Sequence, residues 1–134
     1  SVLTVAYTVE DDQGATDGAN LVITIIGTND APIAQAATVT VDEGDAIITG
    51  SVVATDVDAN ASLTYSLDAA APAGLTFNSD GSYSFNPQNS AYDSLGVGQS
   101  SVLTVAYTVE DDQGATDGAN LVVTFIHLTV PTID

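Results

Sequence analysis

Lysine and arginine are both absent from this chain of 134 residues, which carries 18 acidic side chains and one histidine. No carboxylate can be neutralised by a basic side chain, and at pH 7 the folded chain repels itself unless cations from solvent bind. Nucleic acid and anionic membrane surfaces are held by basic residues and are poor partners for this chain; no nucleic acid and no membrane insertion are expected. Cysteine and methionine are absent as well. That removes disulfides, thiol chemistry and iron–sulfur clusters, and a single His does not make a zinc site. A chain without cysteine fits either a reducing compartment or a secreted protein that relies on metals in place of disulfides. The longest apolar run, Leu21 to Ile26, is too short to cross a membrane. No initiator Met and no signal peptide are present, so the sequence reads as a piece of something longer. What remains in abundance is hard oxygen: Asp, Glu and Asn, which select calcium or magnesium over softer metals.

The chain repeats itself. Residues Ser1 to Gly27 recur at Ser101 to His127, with differences only at Ile23/Val123, Ile25/Phe125 and Gly27/His127, a period of 100 residues. That is the length of a β-sandwich domain rather than of a solenoid repeat. The reading is therefore residues 1–28 as the closing hairpin of an incomplete preceding module, and residues 29–134 as one complete module with its entry linker.

Side chains alternate with a period of two. Leu103, Val105, Tyr107 and Val109 are interleaved with Thr104, Ala106 and Thr108; Leu121, Val123 and Phe125 continue the pattern, as do Leu63, Tyr65 and Leu67, and Val39 with Val41. Alternation rich in Val, Thr, Tyr and Ile predicts strands, and no stretch offers a helical apolar stripe. Asp80-Gly81 between apolar pairs predicts a hairpin. Seven strands follow, at roughly 36–42 (A), 46–55 (B), 62–68 (C), 74–78 (D), 82–86 (E), 101–110 (F) and 118–127 (G). The fold class is all-β, an immunoglobulin-like Greek-key sandwich. The 87–100 crossover is expected to cover one end of the core with Tyr92, Leu95 and Val97. Tyr107 reads as plain core in preference to a tyrosine corner.

The acidic residues gather in loops. Asp56-Val57-Asp58 joins B to C, Glu110-Asp111-Asp112 turns F into G, Asn29-Asp30 lies in the entry linker, and Asp42-Glu43-Gly44-Asp45 turns A into B. In an immunoglobulin-like sandwich the B–C and F–G loops share one pole, and strand A must start there. Asn29, Asp30, Asp56, Asp58 and Asp111 are thus expected at one pole, with Glu43 and Asp93 at the other. Asp112 reads equally as an outlying oxygen of the same site or as an exposed charge. Asp45 and Asp117 read as solvent-facing. The Asn60-Ala61-Ser62 sequon is read as a chance match, and His127 as structurally neutral.

Ala54-Thr55-Asp56-Val57-Asp58 followed by Ser62-Leu63-Thr64-Tyr65 resembles the Asp-x-Asp and following strand of cadherin repeats. Asn29-Asp30-Ala31-Pro32 resembles a shortened form of their interdomain linker, and Val109-Glu110-Asp111 their F–G aspartate. The whole unit, with Asn78-Ser79-Asp80-Gly81-Ser82-Tyr83, resembles the VCBS or cadherin-like repeats of bacterial RTX-type surface adhesins. The resemblance implies calcium between modules, with Asp56, Asp58 and Asp111 as central ligands, Asn29 and Asp30 from the linker, and Glu43 serving the next junction. The Leu-Asp-Arg-Glu motif of cadherins is missing; Tyr92-Asp93-Ser94 occupies that stretch, which points to one or two ions per junction instead of three. His127-Leu128-Thr129-Val130-Pro131 stands where the linker motif would recur.

The expected function is that of a calcium-binding structural extender of a large secreted or cell-surface bacterial adhesin, serving cell adhesion and biofilm formation. Its expected partners are neighbouring identical repeats in the same chain and, through the surplus hairpin, another copy. The alternative is a calcium-dependent adhesion domain that binds a carbohydrate or receptor. Such domains usually display aromatics beside the metal, whereas this chain has no Trp and carries its Tyr and Phe mostly at inward strand positions. An enzyme is not expected: nothing marks a nucleophile elbow or an oxyanion hole, and small loops leave no room for a cleft between paired carboxylates.

Overall fold

The computed structural model describes residues 1–93, 96 and 98–126. The chain begins with a hairpin of β1 (Val2–Glu10) and β2 (Thr16–Thr24), which among the described residues pair only with each other. Then follow β3 (Ile33–Ala34), β4 (Ala37–Asp42), β5 (Ile48–Ser51), β6 (Ala54–Thr55), β7 (Thr64–Leu67), β8 (Leu75–Phe77) and β9 (Ser82–Phe85). A 3₁₀ turn at Ser90–Tyr92 leads to the long hairpin of β10 (Ser100–Glu110) and β11 (Thr116–Ile126). One sheet has the order β4-β11-β10-β7; the opposing layer has β5-β9-β8 and the β3-β6 pair. This is the immunoglobulin-like Greek-key sandwich that the alternation predicts. The expected strand F is β10, and G is β11 as far as Ile126; His127, Leu95, Val97 and the segment from 128 to the end lie outside the described residues.

One of the seven expected strands, B, is divided, and strand A is longer than expected. Its expected span is β4, parallel to β11 with Leu121↔Ala37 through Ile126↔Asp42; ahead of those bounds the chain runs as β3 in the other sheet, antiparallel to β6, before crossing over. The crossing is held where it occurs. Gln35 donates its N–H to the Val53 carbonyl, and its own carbonyl accepts the Tyr107 hydroxyl from beneath. Strand B breaks at Val52, whose N–H goes to Gly81 O and whose side chain is buried; the next ladder donor, Ala54 N–H, goes to the Tyr65 hydroxyl. Period-two patterning is blind to such breaks, because the side chains keep alternating while the backbone changes partner.

The core lies between the layers, built from Val41, Val52, Leu75, Tyr83, Phe85 and Tyr92 against the inward face of β10–β11. Tyr92 meets Phe125 edge-on at 4.5 Å between ring centroids, and Phe85 stands 5.6 Å from Tyr92. Tyr92 therefore covers one end of the core as expected, and its hydroxyl donates to Ala73 O at 2.5 Å. The Asp80-Gly81 pair forms the expected β8–β9 hairpin with a three-residue loop: Asn78 N–H donates to Ser82 O, and Gly81 takes φ +87°, where a Cβ would meet Val52 O at 3.0 Å. Ser82 holds the Asp80 carboxyl below its usual range, by its hydroxyl first and its N–H second.

Tyr107 is fully buried, in agreement with the core reading, and its hydroxyl is tied to carbonyls of strands A and B. Burial raises its pKa; the Gln35 hydrogen bond opposes this, and Tyr65 and Asp117 add to it. The hydroxyl thus pins the strand-A crossover to the opposite hairpin, a bond across the sandwich rather than the local one of a tyrosine corner.

The β1–β2 hairpin is formed, with the register of β10–β11: Tyr7↔Ala19 matches Tyr107↔Ala119, and Val5↔Leu21 matches Val105↔Leu121. Every residue of it is exposed.

Candidate metal centre

Three segments meet at one pole, and the backbone sets each in turn. The F–G turn is a three-residue loop closed by Asp111 N–H to Ala115 O, with Gly114 at φ +90°, a conformation that glycine adopts freely. This loop folds Gln113 N–H and Ala115 N–H onto Asp111 Oδ1, both at 2.9 Å. The B–C loop is an Asx turn, Asp58 N–H to Asp56 Oδ1 at 2.8 Å. The linker then locks onto both loops: Asn29 Nδ2 donates to Asp111 Oδ2 at 2.9 Å, and Asp30 N–H to Asp58 Oδ2 at 2.8 Å. The linker, B–C and F–G residues expected together are together.

Asp111 is 5% exposed. The Asn29 side-chain bond is the main force holding its pKa below the usual carboxylate range. Backbone N–H groups of the turn help, and burial pushes the other way. Asp56 Oδ2 is buried without a hydrogen-bond partner. A buried carboxylate oxygen with no donor is costly and is usually matched by a cation. The chain contains no Lys or Arg to supply one.

The remaining candidates lie elsewhere. Asp112 is exposed, touched by its neighbour Gln113 at 3.4 Å. Glu43 is at the opposite pole, where its N–H donates to Ile126 O beside the Asp42–Asp45 turn. Asp93 is exposed. Among the described residues, no group of three or more His, Cys, Asp or Glu side chains stands close enough to hold a metal ion by itself.

Asp117 departs from the solvent-facing reading. It is half-buried and accepts Ala34 N–H at 2.8 Å, anchoring β3 beside the pole. The alternation places it on the inner face of β11, in phase with Leu121 and paired with Val109 at the end of the sandwich, and the strand that comes to lie over it there cannot be seen from local pattern. Asp45 is exposed as expected and accepts Asp42 N–H in its own turn.

The family model for a bacterial cadherin-like domain matches residues 29–127. Solved structures similar to the chain include Protocadherin Gamma B7 extracellular cadherin domains 1–4, with TM-score 0.66, 13% identity, and cover of 95% of this chain and 41% of that one. Mouse clustered PcdhgC3 EC1-3 has TM-score 0.56 at 15% identity, covering 96% of this chain and 55% of that one. Human Protocadherin-24 EC1-2 has TM-score 0.54 at 17% identity, with 97% and 67% covered. The chain thus spans about half or less of the length of the first two. At these identities the likeness is one of fold. No curated protein matches the chain.

Proposed function

The chain belongs to the bacterial cadherin-like domain family, and on that footing we propose that residues 29–134 are a calcium-stiffened extender module of a secreted or cell-surface adhesin of the VCBS/RTX kind. Residues 1–28 are the closing hairpin of a preceding module. Cadherin-like domains are extracellular structural modules that occur in tandem.

The observation that carries the reading is the unmatched buried Asp56 Oδ2, set among Asp58, Asp111, Asn29 and Asp30 on three cross-tied segments. All these groups offer hard oxygen, which fits calcium or magnesium and no soft metal. Asp56, Asp58 and Asp111 do not stand close enough to form a ligand set by themselves; they would hold the ion by drawing in around it, helped by Asn29 and Asp30. Calcium supplies charge neutralisation and a rigid link between linker and module. The chain's own part is to aim the carboxylates: two turns fix Asp56 and Asp111 through backbone N–H groups, and Pro32, buried just after Asp30, stiffens the entry of the linker. Glu43, at the opposite pole beside Ile126, would serve a following junction in the same way.

Titration calorimetry on single variants tests the assignment. Asp56→Ala and Asp58→Ala should weaken calcium binding at least about tenfold, equivalent to about 1.4 kcal/mol. Asp45→Ala and Asp80→Ala, in self-contained turns, should change it little. Asp117 is unsuitable as a control because its loss frees β3. Equal losses in all four variants would mean diffuse attraction to an acidic surface.

A further inference from the structure

We propose that the apolar face of the β1–β2 hairpin is a docking surface for the strands β3–β9 of a second copy of this chain, which it completes in trans as β10–β11 completes its own sandwich. The chain itself shows what covers this face. Between residues 1–26 and 101–126 only Ile23/Val123 and Ile25/Phe125 differ, and the pairing register is the same. In the second hairpin Val105, Tyr107, Val109, Leu121, Val123 and Phe125 are 0–6% exposed. The corresponding side chains of the first hairpin, from Val5 to Ile25, are 42–61% exposed. The cover over β10–β11 comes from Val41, Val52, Leu75, Tyr83 and Phe85, all on the β3–β9 part. In the trans complex Leu21–Ile26 would run parallel to the partner's strand Ala37–Asp42, and Tyr7–Glu10 antiparallel to Leu67–Thr64, as their counterparts do here.

The hairpin cannot take this slot in its own chain. Asp30 N–H is fixed to Asp58 at the metal-candidate pole. The end of β2 would have to stand where Ile126 stands, beside Glu43 at the opposite pole. The four residue steps from 26 to 30 reach about 14 Å at full extension. Strand β11, 11 residues long, spans about 34 Å. Completion is therefore intermolecular.

In an intact second copy, β10–β11 already holds the slot at high effective concentration. It is also the better fit, because Phe125 contacts the Tyr92 and Phe85 rings at 4.5 and 6.2 Å and Ile25 has no ring. The surface thus captures a copy whose own closing hairpin is missing or displaced. Both pieces are acidic, so screening by salt or divalent cations favours the encounter. The inference stands on the duplicated hairpin and does not need the calcium site.

The test mixes the whole chain with an isotope-labelled polypeptide of residues 29–99, which lacks half of its core, in about 0.15 M salt, where the Debye length is about 8 Å. Parallel samples contain calcium or EDTA. The expected result is an equimolar complex in at least one buffer, with the labelled amide spectrum changing from collapsed to dispersed. Chains carrying Val9→Asp, or lacking residues 1–28, should fail to fold the labelled polypeptide while keeping their own sandwich melt. Absence of folding by the wild-type chain in both buffers overturns the proposal. So does equal folding by the Val9→Asp chain or by the shortened one. A complex indifferent to calcium would leave the docking intact and count against the metal reading alone.

Discussion

Tyr107→Ala should unfold or nearly unfold the sandwich, while Tyr7→Ala, the same substitution in the same sequence context, should leave its melting temperature within about 2–4 °C of wild type. Tyr107 is fully buried, its ring lies 6.2 and 6.3 Å from those of Tyr65 and Phe77, and its hydroxyl pins the strand-A crossover. Removing a buried aromatic side chain costs about 3–5 kcal/mol, a large part of the 5–15 kcal/mol that holds a typical domain. Leaving the Gln35 carbonyl without its donor adds to the loss. Each kcal/mol moves the midpoint by about 4–8 °C in a domain of this size, so a fall of at least about 15 °C is expected. Tyr7 is 54% exposed, and exposed substitutions usually cost no more than about 0.5 kcal/mol. Circular-dichroism melts of the two variants decide the matter. Equal falls would mean that the first hairpin also contributes to the sandwich core.

Calcium should raise the melting temperature and EDTA should lower it. Extracellular calcium modules commonly dissociate near 10⁻⁴–10⁻³ M. Free calcium at ten times such a constant adds about 1.4 kcal/mol per site through linkage to the folded state. That corresponds to a rise of roughly 6–11 °C for one site, and more if relief of repulsion within a chain of net charge −18 contributes. Sodium chloride at matched ionic strength separates the two effects, because screening acts without a site. Scanning calorimetry in calcium, in EDTA and in matched sodium chloride is the measurement. Superimposable melts in all three would remove calcium from the account of stability.

The layers and the pole were legible in the sequence for one reason each. Period-two alternation in 101–110 and 118–126 marks strands whose inward residues, Tyr107, Val109, Leu121 and Val123, are fully buried. Loop order in an immunoglobulin-like sandwich then brings Asn29, Asp30, Asp58 and Asp111 to one end, where they are hydrogen-bonded in pairs. What escaped the sequence depends on tertiary partners. The break in strand B follows from where Val52 and Ala54 find acceptors, Gly81 O and the Tyr65 hydroxyl. The role of Asp117 follows from β3 lying across it, a neighbour 83 residues away in sequence. The grip of the Tyr107 hydroxyl on Gln35 O spans 72 residues. The two near-identical hairpins make the same point: a sequence that differs at two positions is core at 101–126 and surface at 1–26, because only one of them has a slot within reach.

The central claim is that calcium binds at the pole formed by the linker, the B–C loop and the F–G turn, and the chain carries its own control. The turn Asp11–Ala15 repeats Asp111–Ala115 in sequence and in hydrogen bonding, with Gln13 N–H and Ala15 N–H on Asp11 Oδ1 at 2.9 Å, but Asp111 alone is bonded to Asn29. An amide-resolved nuclear magnetic resonance titration with calcium reads both turns in one sample. The account predicts saturating shifts at the amides of Asp30, Asp58, Gln113 and Ala115, with those of Gln13 and Ala15 unmoved over the same range. Shifts of equal size and midpoint in both turns would contradict it.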